Sequence, residues 1–160
     1  MKKVLLVLLL LVTITLHRDV IFASESRDDE ENRYIEESKR IEMLFKERAD
    51  IWNRIYDENV NMDVIMQELD KVVMEPLYTY DLSSFELAKE YPTDLDKVIR
   101  VEVVNIKNLE KSDKELKGNV EMLWKMQGFE GTYEEIIAYS VILKLHNGKW
   151  KISDYSLCDE

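Results

Sequence analysis

General acid–base chemistry has few places to reside in this chain. It holds two histidines and one cysteine. His17 follows an apolar N-terminal run, and His146 flanks a turn with the strand parity of Lys144, where an imidazole is solvated. Without a second histidine in the folded part or a cysteine pair, zinc sites and Ser/His or Cys/His nucleophile systems lack their parts. No glycine-rich phosphate loop occurs. No metal and no cofactor are expected, and proton transfer falls to carboxylates and tyrosines. Asp154 is the catalytic candidate, because an acid on an apolar sheet face beside Val141 and Tyr139 has its charged form disfavoured by desolvation. The plainer reading puts the same acid at a strand end, wet or bonded to backbone.

Where Asp154 lies depends on strand register. Asn147-Gly148 between alternating apolar and polar positions is the strongest short-range hairpin signal. A two-residue turn there pairs His146 with Lys149, Leu145 with Trp150, Leu143 with Ile152 and Val141 with Asp154. A preceding turn on Phe129-Glu130 pairs Met126 with Tyr133, Met122 with Ile137 and Val120 with Tyr139. Both hairpins put the same parity on one face. Trp124, Tyr139, Val141, Trp150 and Asp154 on that face are the candidates for a ligand pocket, although aromatic residues on an inner sheet face also serve as plain core. The opposite face carries Leu123, Ile136, Ala138 and Ile142 at its centre, with Lys125, Lys144 and Lys151 toward its rim. An apolar centre with a charged rim has the anatomy of an interface, so a homodimer through this face is expected.

Other elements must hold that sheet. Ile41, Leu44/Phe45, Arg48, Ile51/Trp52 and Ile55/Tyr56 recur at helical steps. Met62, Ile65/Met66, Leu69 and Val72/Val73 draw a second stripe, with Asn61 as its N-cap and Pro76 at its end. Ser83-Ser84-Phe85-Glu86 matches a capping box and predicts a short helix closed by Tyr91-Pro92. A first strand follows through Ile99, Val101 and Val103, where a phase slip to Val104 and Ile106 predicts a β-bulge.

The totals bound the setting. Lys2 and Lys3 precede an apolar run from Val4 to Leu16, and Ala23 offers a small residue for cleavage. Those 13 residues make about 20 Å of helix, short of a bilayer core of about 30 Å. Residues 1–23 are thus expected to be a signal peptide and the protein secreted or extracytoplasmic. Residues 24–33, with Asp28-Asp29-Glu30-Glu31, read as a mobile acidic leader, a solvated charge run rather than a cation site. Residues 34–160 read as a single domain. Loss of Lys2, Lys3, Arg18 and Asp19 takes the net charge from −11 to −13. Nucleic acid and stable membrane association are poor partners for that charge. A lone Cys158 excludes an internal disulfide, so the fold rests on its core.

Helices first, then a curved four-stranded antiparallel meander, is an α+β plan. Its closing segment, Asn147-Gly148-Lys149-Trp150-Lys151-Ile152-Ser153-Asp154, resembles the NTF2-like group of the cystatin-like fold, in which helices pack into a bent sheet to form a cone. That resemblance covers roughly residues 34–157 and implies fold far more than activity. Gln127-Gly128-Phe129-Glu130-Gly131 resembles the Gln-x-Val-x-Gly loop of cystatins, with Phe129 in place of the valine and Lys149 in place of the proline before the second-loop tryptophan. The expected function is an exported, non-catalytic binding or interaction domain for a small ligand or protein. The alternatives are a small lyase or isomerase using Asp154, and a cysteine-protease inhibitor using Gln127–Gly131. N-terminal sequencing of exported material is expected to begin at or near Ser24; intact Met1 in a membrane fraction would contradict the signal-peptide reading.

Overall fold

All of the sheet's irregularities fall on its two edge strands. In the computed structural model, which describes residues 34–57, 59–90 and 96–158, the strands are β1 (Lys97–Lys111), β2 (Glu115–Gly128), β3 (Gly131–His146) and β4 (Lys149–Leu157). They form one antiparallel sheet in the order β1-β2-β3-β4. The central β2–β3 pair runs without a register shift and has the expected partners Val120–Tyr139, Met122–Ile137 and Met126–Tyr133. Strand β1 shifts three times, once between Val103 and Asn105, where the phase slip predicts a bulge. Strand β4 shifts once, opposite the step from Ile142 to Leu143. Bulges bend a strand and raise its twist, so regular centre strands between bulged edges give a sheet that curls.

Residues 38–160 form one compact unit. Helix α1 covers residues 34–53 and runs into a 3-10 turn at Arg54–Tyr56. Helix α2 spans Met62–Val72, and the Asn61 side chain accepts from Asp63 N at 2.9 Å as the expected cap. Helix α3 spans Leu77–Glu90. The three helices pack on the open sheet as an α+β fold. Ile41, Leu44 and Phe45 of α1, Ile65, Leu69 and Val72 of α2, and Phe85 of α3 share one buried cluster with Val120, Met122, Val141, Leu143 and Ile152. The signal peptide and leader expected over residues 1–33 lie outside the described residues, as does the Tyr91-Pro92 helix stop.

The helices also manage the sheet's edges, whose unpaired backbone groups would otherwise await another chain. On β1, the Asn53 amide donates to Val98 O at 2.7 Å and accepts from Val98 N at 3.0 Å, standing in for a neighbouring strand. Glu42 accepts from Val103 N at 2.9 Å, beside the bulge. On β4, Val73 makes a parallel bridge with Ile152, and Met74 N donates to Ile152 O at 2.9 Å. Ser153 Oγ then donates to Glu75 O at 3.2 Å. Residues 73–75 are therefore a strap along β4, extended at Val73 and turning at Glu75; α2 stops at Val72 rather than at Pro76.

Two further expectations need correction. Ser83-Ser84-Phe85-Glu86 opens no helix. It lies in the middle of α3, where the Ser83 hydroxyl donates back to Thr79 O at 2.9 Å. The helix begins six residues earlier because Leu77, Asp81 and Phe85 make one buried face at steps of four. An acid in that stripe conceals its period. Lys151, expected at the outer rim, is instead buried: its ammonium donates to Asp70 O in the last turn of α2 and lies 3.3 Å from Asp70 Oδ1. A cation there satisfies a carbonyl that the helix end leaves free.

Candidate functional site

The β4 bulge decides which groups face the helices. Before it, Leu145–Trp150 and Leu143–Ile152 pair as the hairpin turn dictates, with Asn147 and Gly148 at the positive φ values of 50° and 76° that such a turn requires. Beyond it, Asp154 pairs with Ile142 and Tyr155 with Val141. One extra residue exchanges the faces. The expected Val141–Asp154 pair does not form; Asp154 is exposed with the outer-face parity, and Tyr155 takes the inner position.

Tyr155 joins an aromatic group on the concave face. Phe45 of α1 meets it edge-on with ring centroids 5.3 Å apart, stacks on Tyr139 at 6.4 Å and meets Trp124 at 6.3 Å. Arg48, one helical turn beyond Phe45, lies over the Tyr155 ring at 5.1 Å and over Trp52 at 5.9 Å. Its guanidinium binds Asp81 of α3 through two parallel bonds, Nε to Oδ2 at 2.7 Å and Nη2 to Oδ1 at 2.5 Å. The Asp81 side chain is fully buried and that of Arg48 is 11% exposed. Burial alone would lower the Arg48 pKa; the hydrogen bonds and charge of Asp81, together with Tyr155, outweigh it and raise the value.

Two cavities flank this group. The larger, about 460 Å³, is a groove between the first turn of α3 (Pro76, Leu77, Tyr80) and the end of β4 (Asp154 to Leu157), with Tyr139 among its walls. The smaller, about 180 Å³, lies between α1 and the start of the sheet and is lined by Arg48, Trp52, Asn53, Tyr56, Asp96 and Trp124 among others. Among the described residues, the indole N–H groups of Trp52 and Trp124 are buried and meet no acceptor in good hydrogen-bond geometry, although that of Trp124 lies near enough to the Tyr139 hydroxyl to stabilise its anion slightly. For Trp124, the surroundings are the edge-on rings of Phe45 and Tyr139, the latter at 6.3 Å and 77°.

The ligand-pocket candidates therefore separate. Tyr139 and Asp154 line the larger groove, Asp154 from the outer side of its strand, and Trp124 lines the smaller cavity. Val141 is wholly buried core. Trp150 lines neither cavity and packs half-buried with Arg40 5.5 Å over its ring. Arg48 enters the sequence pattern only as a member of the α1 stripe, and Asp81 and Tyr155 are not among its site candidates. A charge inside each of two apolar stripes, at Arg48 and Asp81, was the available signal.

On the outer face, Ile136 is 58% exposed and Ala138 is exposed, while Leu123 and Ile142 are half-buried. Ion pairs flank them, Lys125–Glu134 at 3.1 Å and Lys107–Glu121 at 2.6 Å. At the turn from Gln127 to Gly131 the Phe129 side chain is fully exposed, and the Gln127 amide donates to Gly128 O at 3.0 Å. No described helix is long and apolar enough to cross a membrane.

No family model and no curated protein sequence matches the chain. Among solved structures, the intermembrane space region of the chloroplast protein ARC6 superposes with a TM-score of 0.52 at 9% identity, over 77% of this chain and 97% of that one. A SEC-C motif containing protein from Rhodopseudomonas palustris gives 0.44 at 12% identity, over 72% and 77%. An NTF2-like protein of unknown function from Prochlorococcus marinus gives 0.37 at 15% identity, over 50% and 63%. Identities this low speak to fold, and only the first score is high enough to do so.

The phenol of Tyr139 offers a direct check of this environment. Burial first, then Tyr155 and Glu135, push its pKa from 10.0 up to about 12, against a smaller lowering by Arg48 and Trp124. A raised value in the folded state contributes stability that is complete below pH 10 and lost as the pH rises through about 12. The tyrosinate absorbance lost in a Tyr139→Phe variant should accordingly titrate near pH 12; a midpoint near 10 would mean that the ring is solvated.

Proposed function

We propose that this chain is an exported, non-catalytic NTF2-like binding domain, with its ligand held in the groove between the first turn of α3 and the end of β4. The observation that carries the reading is the groove itself. It has a volume of about 460 Å³, within the usual range for ligand sites of about 300–1,000 Å³. Its walls are largely apolar, and Tyr80 and Leu157 are each 66% exposed on them. Large exposed apolar side chains lining a cleft add little to the core; they suit an occupant.

The neighbouring polar groups support binding rather than proton transfer. Both carboxylate oxygens of Asp81 are engaged by Arg48, and burial pushes the Tyr139 hydroxyl's pKa up to about 12. The second reading, a small lyase or isomerase, keeps one observation in its favour: Asp154 and Tyr139 line the same groove. A second copy of the chain is the partner proposed for the outer sheet face, supported by the exposure of Ile136 and Ala138 at its centre.

The neutral fluorophore N-phenylnaphthylamine tests the groove. Saturable binding is expected, weakened about tenfold or more by Tyr80→Ala with Leu157→Ser, as loss of two apolar walls implies, and unchanged by Phe129→Ser. Absence of saturable binding, or binding blind to the groove variants, would contradict the reading. A cyclic ketone incubated in heavy water should gain no deuterium next to its carbonyl; exchange that vanishes in Asp154→Asn would establish the lyase or isomerase instead. Light scattering should give a dimer that Ile142→Lys dissociates, and a monomer at every concentration would remove the second-copy proposal.

A further inference from the structure

The groove's floor is an unfinished sheet edge. Strand β4 lies at the end of the sheet order, and among the described residues its free side is covered where the strap Val73–Glu75 runs beside Ile152 and Ser153. At Pro76 the chain leaves for α3, and among the described residues no other element bonds to the backbone of Asp154 to Leu157. Cys158 N donates to Ala138 O at 2.9 Å. In an antiparallel pair, alternate residues turn their N–H and C=O toward the partner. Residues 158, 156 and 154 thus face β3, which leaves the backbone N–H and C=O of Tyr155 and Leu157 directed at the open edge.

Resting on the binding-domain reading of this groove, we propose that its occupant is an extended peptide that adds as a strand to the open edge of β4, apolar at alternate positions and basic between them. The strap already runs parallel to β4 at Ile152, so the added strand continues the line of Val73–Glu75 where the chain's own backbone departs. Four edge residues give about 13 Å of pairing at about 3.3 Å each. Register supplies the side-chain pattern. On the concave side, the added strand meets Leu77, Tyr80, Tyr139, Tyr155 and Leu157, which accept apolar groups. On the other side it passes Asp154 and Ser156, both exposed, with Glu75 exposed at the strap's end. An acidic rim in a chain of net charge −11 favours Lys or Arg there. Main-chain bonds to the edge supply affinity, and the alternating pockets supply selectivity.

The probes are three synthetic capped hexapeptides, offered to the isotope-labelled full mature chain: alternating Lys-Val, alternating Glu-Val, and Lys-Val with its edge-facing amides N-methylated. Amide shifts from the Lys-Val peptide should concentrate on residues 154–157 and 73–75. Loss of two backbone bonds should weaken the N-methylated peptide about tenfold, and Asp154→Lys should reverse the preference toward Glu-Val. Equal binding of the N-methylated peptide, or shifts confined elsewhere, overturns strand addition. If N-phenylnaphthylamine still binds in that case, the groove reading survives and the peptide inference alone fails; if neither binds, both fail.

Discussion

A buried arginine and a buried aspartate in contact set the arrangement on which the rest of this fold depends. Arg48 sits in the apolar stripe of α1 and Asp81 in that of α3, and neither could be buried without the other. Their two parallel bonds, at 2.7 and 2.5 Å, fix distance and rotation between the helices together. The same guanidinium lies 5.1 Å over Tyr155 and so binds both helices to the final strand. Such a pair need not add net stability over a well-packed apolar substitute. Its effect here is geometric: it holds the first turn of α3 beside the end of β4 and keeps the groove between them open.

That geometry separates what was legible in the sequence from what was not. The hairpin at Asn147-Gly148 and the β2–β3 pairing follow from period and turn chemistry, which are local, and both appear in the structure as read. Asn61 as a cap is local too. The bulge opposite Ile142–Leu143 is not. Ser153 fits an uninterrupted strand in sequence; it is drawn out by its bond to Glu75 O, a residue 78 positions away. From that long-range bond follow the exposure of Asp154 and the inward turn of Tyr155. Helix α3 was hidden for a related reason, because Asp81 looks like a break in periodicity until Arg48 pairs with it.

Sheet edges unify the remaining features. The side chains of Asn53 and Glu42 close positions on β1, and the strap Val73–Glu75 closes the first half of β4. The second half of β4 borders the groove. The domain protects its edges with specific bonding yet ends one of them in an apolar cleft, and that is where the proposed binding role places an occupant. The likeness to the ARC6 intermembrane space region is one of fold alone and leaves the cleft's occupant to be read from the chain's own residues.

A double-mutant cycle on Arg48 and Asp81, read by urea unfolding, tests this constraint most directly. Arg48→Met and Asp81→Leu should each destabilise the domain by about 3–5 kcal/mol, because each strands a buried charge. The double variant should cost no more than either single change, giving a coupling energy of about 3 kcal/mol or more. It should also bind N-phenylnaphthylamine more weakly than the parent, since α3 would no longer be held against Tyr155. Additive costs with a coupling near zero, and a groove unchanged in the double variant, would show that the helices are placed by packing alone and would contradict the role assigned to the pair.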